Sequence, residues 1–126
     1  MEKLTLLVLP EKFGICHFNK NSQIPDWAME SKFYYIGRTD DELSIICQQE
    51  KIPGGVLAET NWRAFKIQGP LGFTLTGIVS SISKPLADAK ISILYVSTYE
   101  TDYIFVEEKN LKRAKEILKN SFNLKE

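Results

Sequence analysis

Histidine and cysteine are scarce in these 126 residues: His17 stands alone, and the only thiols are Cys16 and Cys47. There is no CxxC and no Cys/His cluster at zinc-ligand spacing. One histidine cannot anchor both a metal site and a Ser/His/Asp relay, and no P-loop, GxSxG or HExxH motif is present. Both cysteines lie in apolar, strand-like runs, as small buried hydrophobes of a reducing compartment do. An excess of either charge is also missing, since Lys plus Arg and Asp plus Glu number 16 each. That balance gives no long-range field for nucleic acid or an anionic membrane. The apolar run over residues 4–9 stops at Pro10 and is too short for a signal-peptide core or a membrane span. These absences lead us to expect a cytoplasmic protein without metal, cofactor, nucleic-acid partner, membrane partner or catalysis.

What remains is an ordinary globular composition, 44% hydrophobic and 25% charged. The length suits one compact unit or two very small ones. The first half reads as strands over 4–9, 13–18, 33–37 and 42–48, with one helical turn over 24–29 behind Pro25. Leu43, Ile45 and Cys47 share one strand face. The run Lys51-Ile52-Pro53-Gly54-Gly55 stops either kind of regular element and is the best linker. It divides the chain into residues 1–58 and 59–126.

The second half gives a strand over 62–68, a tight turn, and then a change of period. Leu75, Ile78, Val79, Ile82, Leu86 and Ala89 follow steps of three and four, one face of an amphipathic helix. Pro85 should kink or break it. Strands over 91–97 and 102–107 and a helix over 109–122 complete a β-α-β-β-α order, an α+β sandwich of ferredoxin-like type. A faint repeat lays residues 33–47 on residues 92–106, with Thr39 on Thr98 and Ile45 on Ile104. The first copy lacks a long helix and would be degenerate.

The runs Gly69-Pro70-Leu71-Gly72-Phe73-Thr74-Leu75-Thr76-Gly77-Ile78, Pro85-Leu86-Ala87-Asp88-Ala89-Lys90-Ile91 and Ser97-Thr98-Tyr99-Glu100-Thr101-Asp102-Tyr103-Ile104 resemble the ACT domain family. More narrowly they resemble the small bacterial tandem-ACT proteins related to the ACT modules of the animal cytosolic arginine sensor. Ile24-Pro25-Asp26-Trp27-Ala28 and Arg38-Thr39-Asp40-Asp41-Glu42-Leu43 resemble the N-terminal module of that group. The resemblance implies two ferredoxin-like βαββα modules, the first degenerate, with sheets paired side by side. It also implies a regulatory protein that binds a small molecule, expected to be an amino acid, and a homodimer. Lys90 stands where many relatives have Gly, so this position should be left-handed or in an altered turn.

Two segments are candidates for contact with the ligand. The turn Gly69, Pro70, Leu71, Gly72, Phe73, Thr74 leads into a helix start, where amide donors and the helix dipole suit a carboxylate. Thr74 or Thr76 would cap that helix. The resemblance places Thr98, Tyr99 and Asp102 against the bound amino acid. Thr98 offers a hydroxyl, Tyr99 covers an aliphatic stem, and Asp102 accepts from an ammonium or a basic side chain. The competing reading makes both segments ordinary turns whose Thr and Asp bond their own backbone. The whole chain would then be a ligand-free oligomerisation or protein-interaction module. Ile78, Val79, Ile82 and Tyr95 are expected in the core, with Ser80 and Ser81 on the far side of the helix. Arg38, Thr39 and Asp41, the counterparts in the first half, suit a second, weaker site or a salt-bridged turn, of which the turn is favoured, and Trp27 is expected as a core plug.

Overall fold

Alternating apolar residues become strands wherever a sheet face is available to bury them, and the short runs above do so. The computed structural model describes residues 3–69, 71 and 76–126. Its strands are β1 (Thr5–Val8), β2 (Phe13–Phe18), β3 (Tyr34–Arg38), β4 (Leu43–Gln48), β5 (Ala58–Ile67), β6 (Ile93–Ser97), β7 (Asp102–Glu107) and β8 (Asn123–Lys125). Its helices are α1 (Ile78–Asp88) and α2 (Leu111–Leu118). The fold is mixed α+β. The chain divides into two compact units, residues 1–10 with 63–126, and residues 11–62.

In the first unit the strand order is β6-β7-β5-β1-β8. Leu6 and Val8 of β1, Phe65 and Ile67 of β5, and Ile104 and Val106 of β7 bury their side chains with Ile82 and Leu86 of α1 and Ala114 and Leu118 of α2. These positions are two apart on the strands and four apart on the helices, so one face of each element enters the cluster. The unit boundary differs from the expected division at 58/59. Residues 5–8 pair antiparallel with β5 and parallel with β8, so their hydrogen bonds tie the N-terminus to the C-terminal half. The short β8 lies beyond the helix expected over 109–122, which ends earlier, at Leu118. Leu118 accepts the amide of Phe122 at 2.9 Å, and the chain then leaves the helix to pair with β1.

The expected helix start at 74 lies outside the described residues. Gly77 adopts φ +78°, a left-handed conformation that interrupts a helical run, and α1 begins after it with no side-chain cap. The expected Thr cap is therefore not made by Thr76. Pro85 does not break α1, which runs through it to Asp88. Beyond the helix, Lys90 takes φ +60°. Its amide donates to Ala87 and the Ile91 amide donates back to Leu86, both at 2.9 Å. This is a Schellman closure, with Ile91 and Leu86 buried together. The left-handed position expected at Lys90 is present without its usual glycine.

The second unit has the order β3-β4-β2-β5 and two 3-10 turns, Asp26–Glu30 and Gln49–Lys51. Leu43, Ile45 and Cys47 are fully buried with Cys16 and Ala28, and Trp27 packs against this cluster. Cys16 and Cys47 are both unbridged. The hydrogen bond it shares with Cys16, as donor, and burial push the Cys47 thiol well above its usual range, so it is a neutral core residue.

Candidate functional site

The turn between β6 and β7 sets the geometry of the site. Thr98 donates its amide to the Thr101 carbonyl at 2.8 Å and its hydroxyl to the same oxygen at 3.0 Å. The Thr101 amide returns a bond to the Thr98 hydroxyl at 3.3 Å. The hairpin register follows, with Ser97 opposite Asp102 and Tyr95 opposite Ile104. The hairpin of the second unit uses the same arrangement. There, Thr39 donates its amide to Glu42 at 2.9 Å and accepts the Glu42 amide at 3.2 Å, and Arg38 lies opposite Leu43. The repeat seen in sequence is thus a repeat of hairpin register and turn chemistry. Arg38 itself donates to the carbonyls of Lys20 and Ser22, which ties the hairpin to that loop; among the described residues it makes no salt bridge, contrary to expectation.

A cleft of about 550 Å³ lies within the first unit between the first turn of α1 and the β6–β7 hairpin. Ile78, Val79, Ser80 and Ser83 line one side; Thr98, Tyr99, Glu100 and Asp102 line the other, with Leu71 also in the wall. Thr98, Tyr99, Asp102 and Leu71, four residues singled out from sequence, therefore come together. Gly69 does not line this cleft. A Cβ there would stand 3.0 Å from the Glu100 carbonyl, so the glycine gives the hairpin room to approach. Pro70, Gly72, Phe73 and Thr74 lie outside the described residues.

The donors of this wall are less open than expected. Leu71 gives its amide to the Glu100 carbonyl at 2.7 Å, which joins the turn after β5 to the hairpin. Thr101, which is buried, donates its hydroxyl to the Ile67 carbonyl at 2.6 Å and ties the same hairpin to β5. Asp102 keeps its carboxylate in the cleft wall, and its Oδ2 accepts the Tyr95 hydroxyl at 2.6 Å. Burial pushes the Tyr95 phenol well above the usual tyrosine range; the bond to Asp102 and the charge on that carboxylate push it further. Tyr95 is therefore a permanent donor at neutral pH.

Charge and polarity in the cleft are one-sided. Among the described residues its lining holds two carboxylates, on Glu100 and Asp102, and no Lys, Arg or His. Leu71, Ile78, Val79 and Tyr99 supply an apolar surface beside them. Tyr99 is 80% exposed and Val79 50% exposed, so Val79 is a wall residue and not the core residue expected. Ser80 also faces the cleft rather than the far side of the helix. Sequence reasoning missed Tyr95, Thr101, Ser80 and Ser83. Tyr95 was within reach: with Ser97 opposite Asp102, the residue two before Ser97 shares its face and lies diagonal to Asp102.

The comparisons with known proteins agree with this architecture. A family model described as the ACT domain matches residues 57–120, and a second model, described as an N-terminal domain, matches residues 11–55. The human cytosolic arginine sensor for mTORC1 subunit 1 is 35% identical over 94 residues, which cover 68% of this chain and 29% of that protein. The chain thus spans under a third of that sensor's length. A crystal structure of an Agobacterium tumefaciens protein superposes with a TM-score of 0.91 at 38% identity, covering 98% of this chain and 93% of the other. The ligand-free regulatory subunit of Thermus thermophilus aspartate kinase shares the fold, with a TM-score of 0.68 at 10% identity over 97% of this chain and 100% of that one.

Proposed function

The chain belongs to the ACT domain family, and on that premise we propose that it is an amino-acid-binding regulatory protein whose ligand occupies the cleft between α1 and the β6–β7 hairpin. One observation carries the reading: the hairpin residues Thr98, Tyr99 and Asp102 converge with a helix start on one concave surface. Asp102 takes the ligand's cationic group by a charge-assisted bond. Tyr99 folds over the aliphatic part, and the serines of α1 meet its polar end. Leu71 supplies a further part of the wall. Residues 11–62 act as a degenerate module, and residues 1–10 with 63–126 as a complete ACT module. The protein works in the cytoplasm as a homodimer, without catalysis, and transmits binding through module or subunit interfaces. The name of the arginine sensor supports an amino acid as the ligand class.

A second reading has its own support. Thr98 and Leu71 already satisfy their donors within the protein, as in a ligand-free interaction module. A thermal-shift screen with the twenty amino acids at millimolar concentration separates the two. A ligand at a hundred times its Kd stabilises the native state by about 2.7 kcal/mol, a clear rise in melting point. Asp102→Ala should abolish the shift while keeping the native circular dichroism. Absence of any shift, or one that survives in Asp102→Ala, removes this site.

A further inference from the structure

We infer that the cleft reads its ligand's cation as a primary ammonium in preference to a guanidinium, and that Tyr95 sets this preference by holding one oxygen of Asp102. The inference deepens the functional reading above and rests on it. An ionised carboxylate pairs with a guanidinium best in a fork-to-fork arrangement, two parallel N–H···O bonds that use both oxygens. An ammonium is a compact charge whose donors rotate and which needs only one oxygen. At this site the two oxygens are not equivalent. Oδ2 accepts the Tyr95 hydroxyl at 2.6 Å, a short and therefore strong contact. Tyr95 is not among the residues lining the cleft, so it holds Asp102 from outside the ligand space and acts as a positioning residue. Its raised pKa keeps the hydroxyl protonated, so this oxygen stays engaged.

Two-point pairing by a guanidinium must share Oδ2 with Tyr95, using the lone pair that oxygen has left; one-point pairing by an ammonium through Oδ1 needs no such sharing. The neighbouring carboxylate of Glu100 supplies further negative potential, and among the described residues no lining Lys, Arg or His opposes it. The apolar side chains of Ile78, Val79 and Tyr99 suit the methylene stem that carries such a head group.

The test uses the full chain and two probes with a single charged group, n-butylammonium and n-butylguanidinium, titrated by NMR chemical-shift mapping. Wild-type protein should bind the ammonium tighter by roughly fivefold, the value of one net hydrogen bond. Tyr95→Phe keeps the ring and removes the hydroxyl, and should shift the ratio toward the guanidinium by a similar factor. Equal or tighter guanidinium binding by the wild type, or a ratio unchanged in Tyr95→Phe, overturns the inference. Should Tyr95→Phe fold poorly, the wild-type ratio decides alone. Binding of neither probe while an amino acid still raises the melting point also overturns it and leaves the functional reading standing. Ammonium-selective binding with no response to any amino acid does the reverse.

Discussion

Thr101 carries a single buried hydrogen bond whose removal should be felt both in stability and at the cleft. Its hydroxyl lies 2.6 Å from the Ile67 carbonyl, 34 positions away in sequence, and the residue is 6% exposed. Thr101→Val keeps the shape and replaces the donor with a methyl group. The Ile67 carbonyl then loses this side-chain donor in a place water cannot easily reach, at a cost of about 1–3 kcal/mol. With a urea dependence of about 2 kcal/mol per molar for a small protein, a mid-range loss lowers the unfolding midpoint by about 1 M at unchanged slope. Thr101→Ser keeps the bond and loses one buried methyl, worth about 0.8 kcal/mol. The order of stability should therefore be wild type, then Ser, then Val. Hydrogen exchange adds a local readout. The Leu71 amide is held by the Glu100 carbonyl on the same hairpin, so it should lose protection in Thr101→Val more than amides in α2 do. A Val variant as stable as wild type, or a Ser variant more damaged than Val, would refute the argument that this bond anchors the hairpin.

Two further outcomes follow from local chemistry. Lys90 sits at φ +60°, where a Cβ is strained, so Lys90→Gly should stabilise the protein by about 0.5–1 kcal/mol after the glycine's larger unfolded-state entropy is counted, measured by urea unfolding. Tyr95 has a folded-state pKa above its unfolded value of about 10. The folded state therefore holds more protons at alkaline pH, and its stability is full below about pH 10 and falls as pH rises beyond that. In Tyr95→Phe that alkaline decline should be shallower, read as the unfolding midpoint at pH 8 against pH 11.

Local pattern carried much of this fold because each element announces itself over a few residues. Phe13–Phe18 and Asp102–Glu107 appear at the strand limits read from sequence, since β-branched and aromatic residues alternate cleanly there. The Leu43, Ile45 and Cys47 face and the inward positions Ala114, Leu118 and Phe122 were legible for the same reason, a period that matches the geometry of one element. The hairpin with Thr98, Tyr99 and Asp102 was legible too, since a Thr-led four-residue turn fixes its own register.

Partners far away in the chain were not legible, because nothing local encodes them. Thr5–Val8 looked like the start of an N-terminal module, yet its hydrogen bonds go to β5 and to Asn123–Lys125 at the other end of the sequence. Those last residues carried no assignment from sequence, and only an open strand edge makes them β8. Val79 and Ser80 were assigned faces from a helix phase that places Ile78, Ile82 and Leu86 correctly, but among the described residues no neighbouring element covers Val79 at the start of α1, where the cleft opens. By itself, then, the sequence determined the elements, their buried faces and the chemistry of the acidic hairpin. Tertiary structure decided which strands close the sheet and that Tyr95 engages one oxygen of Asp102, because hydrogen bonds between distant segments depend on where packing brings them and not on the residues beside them.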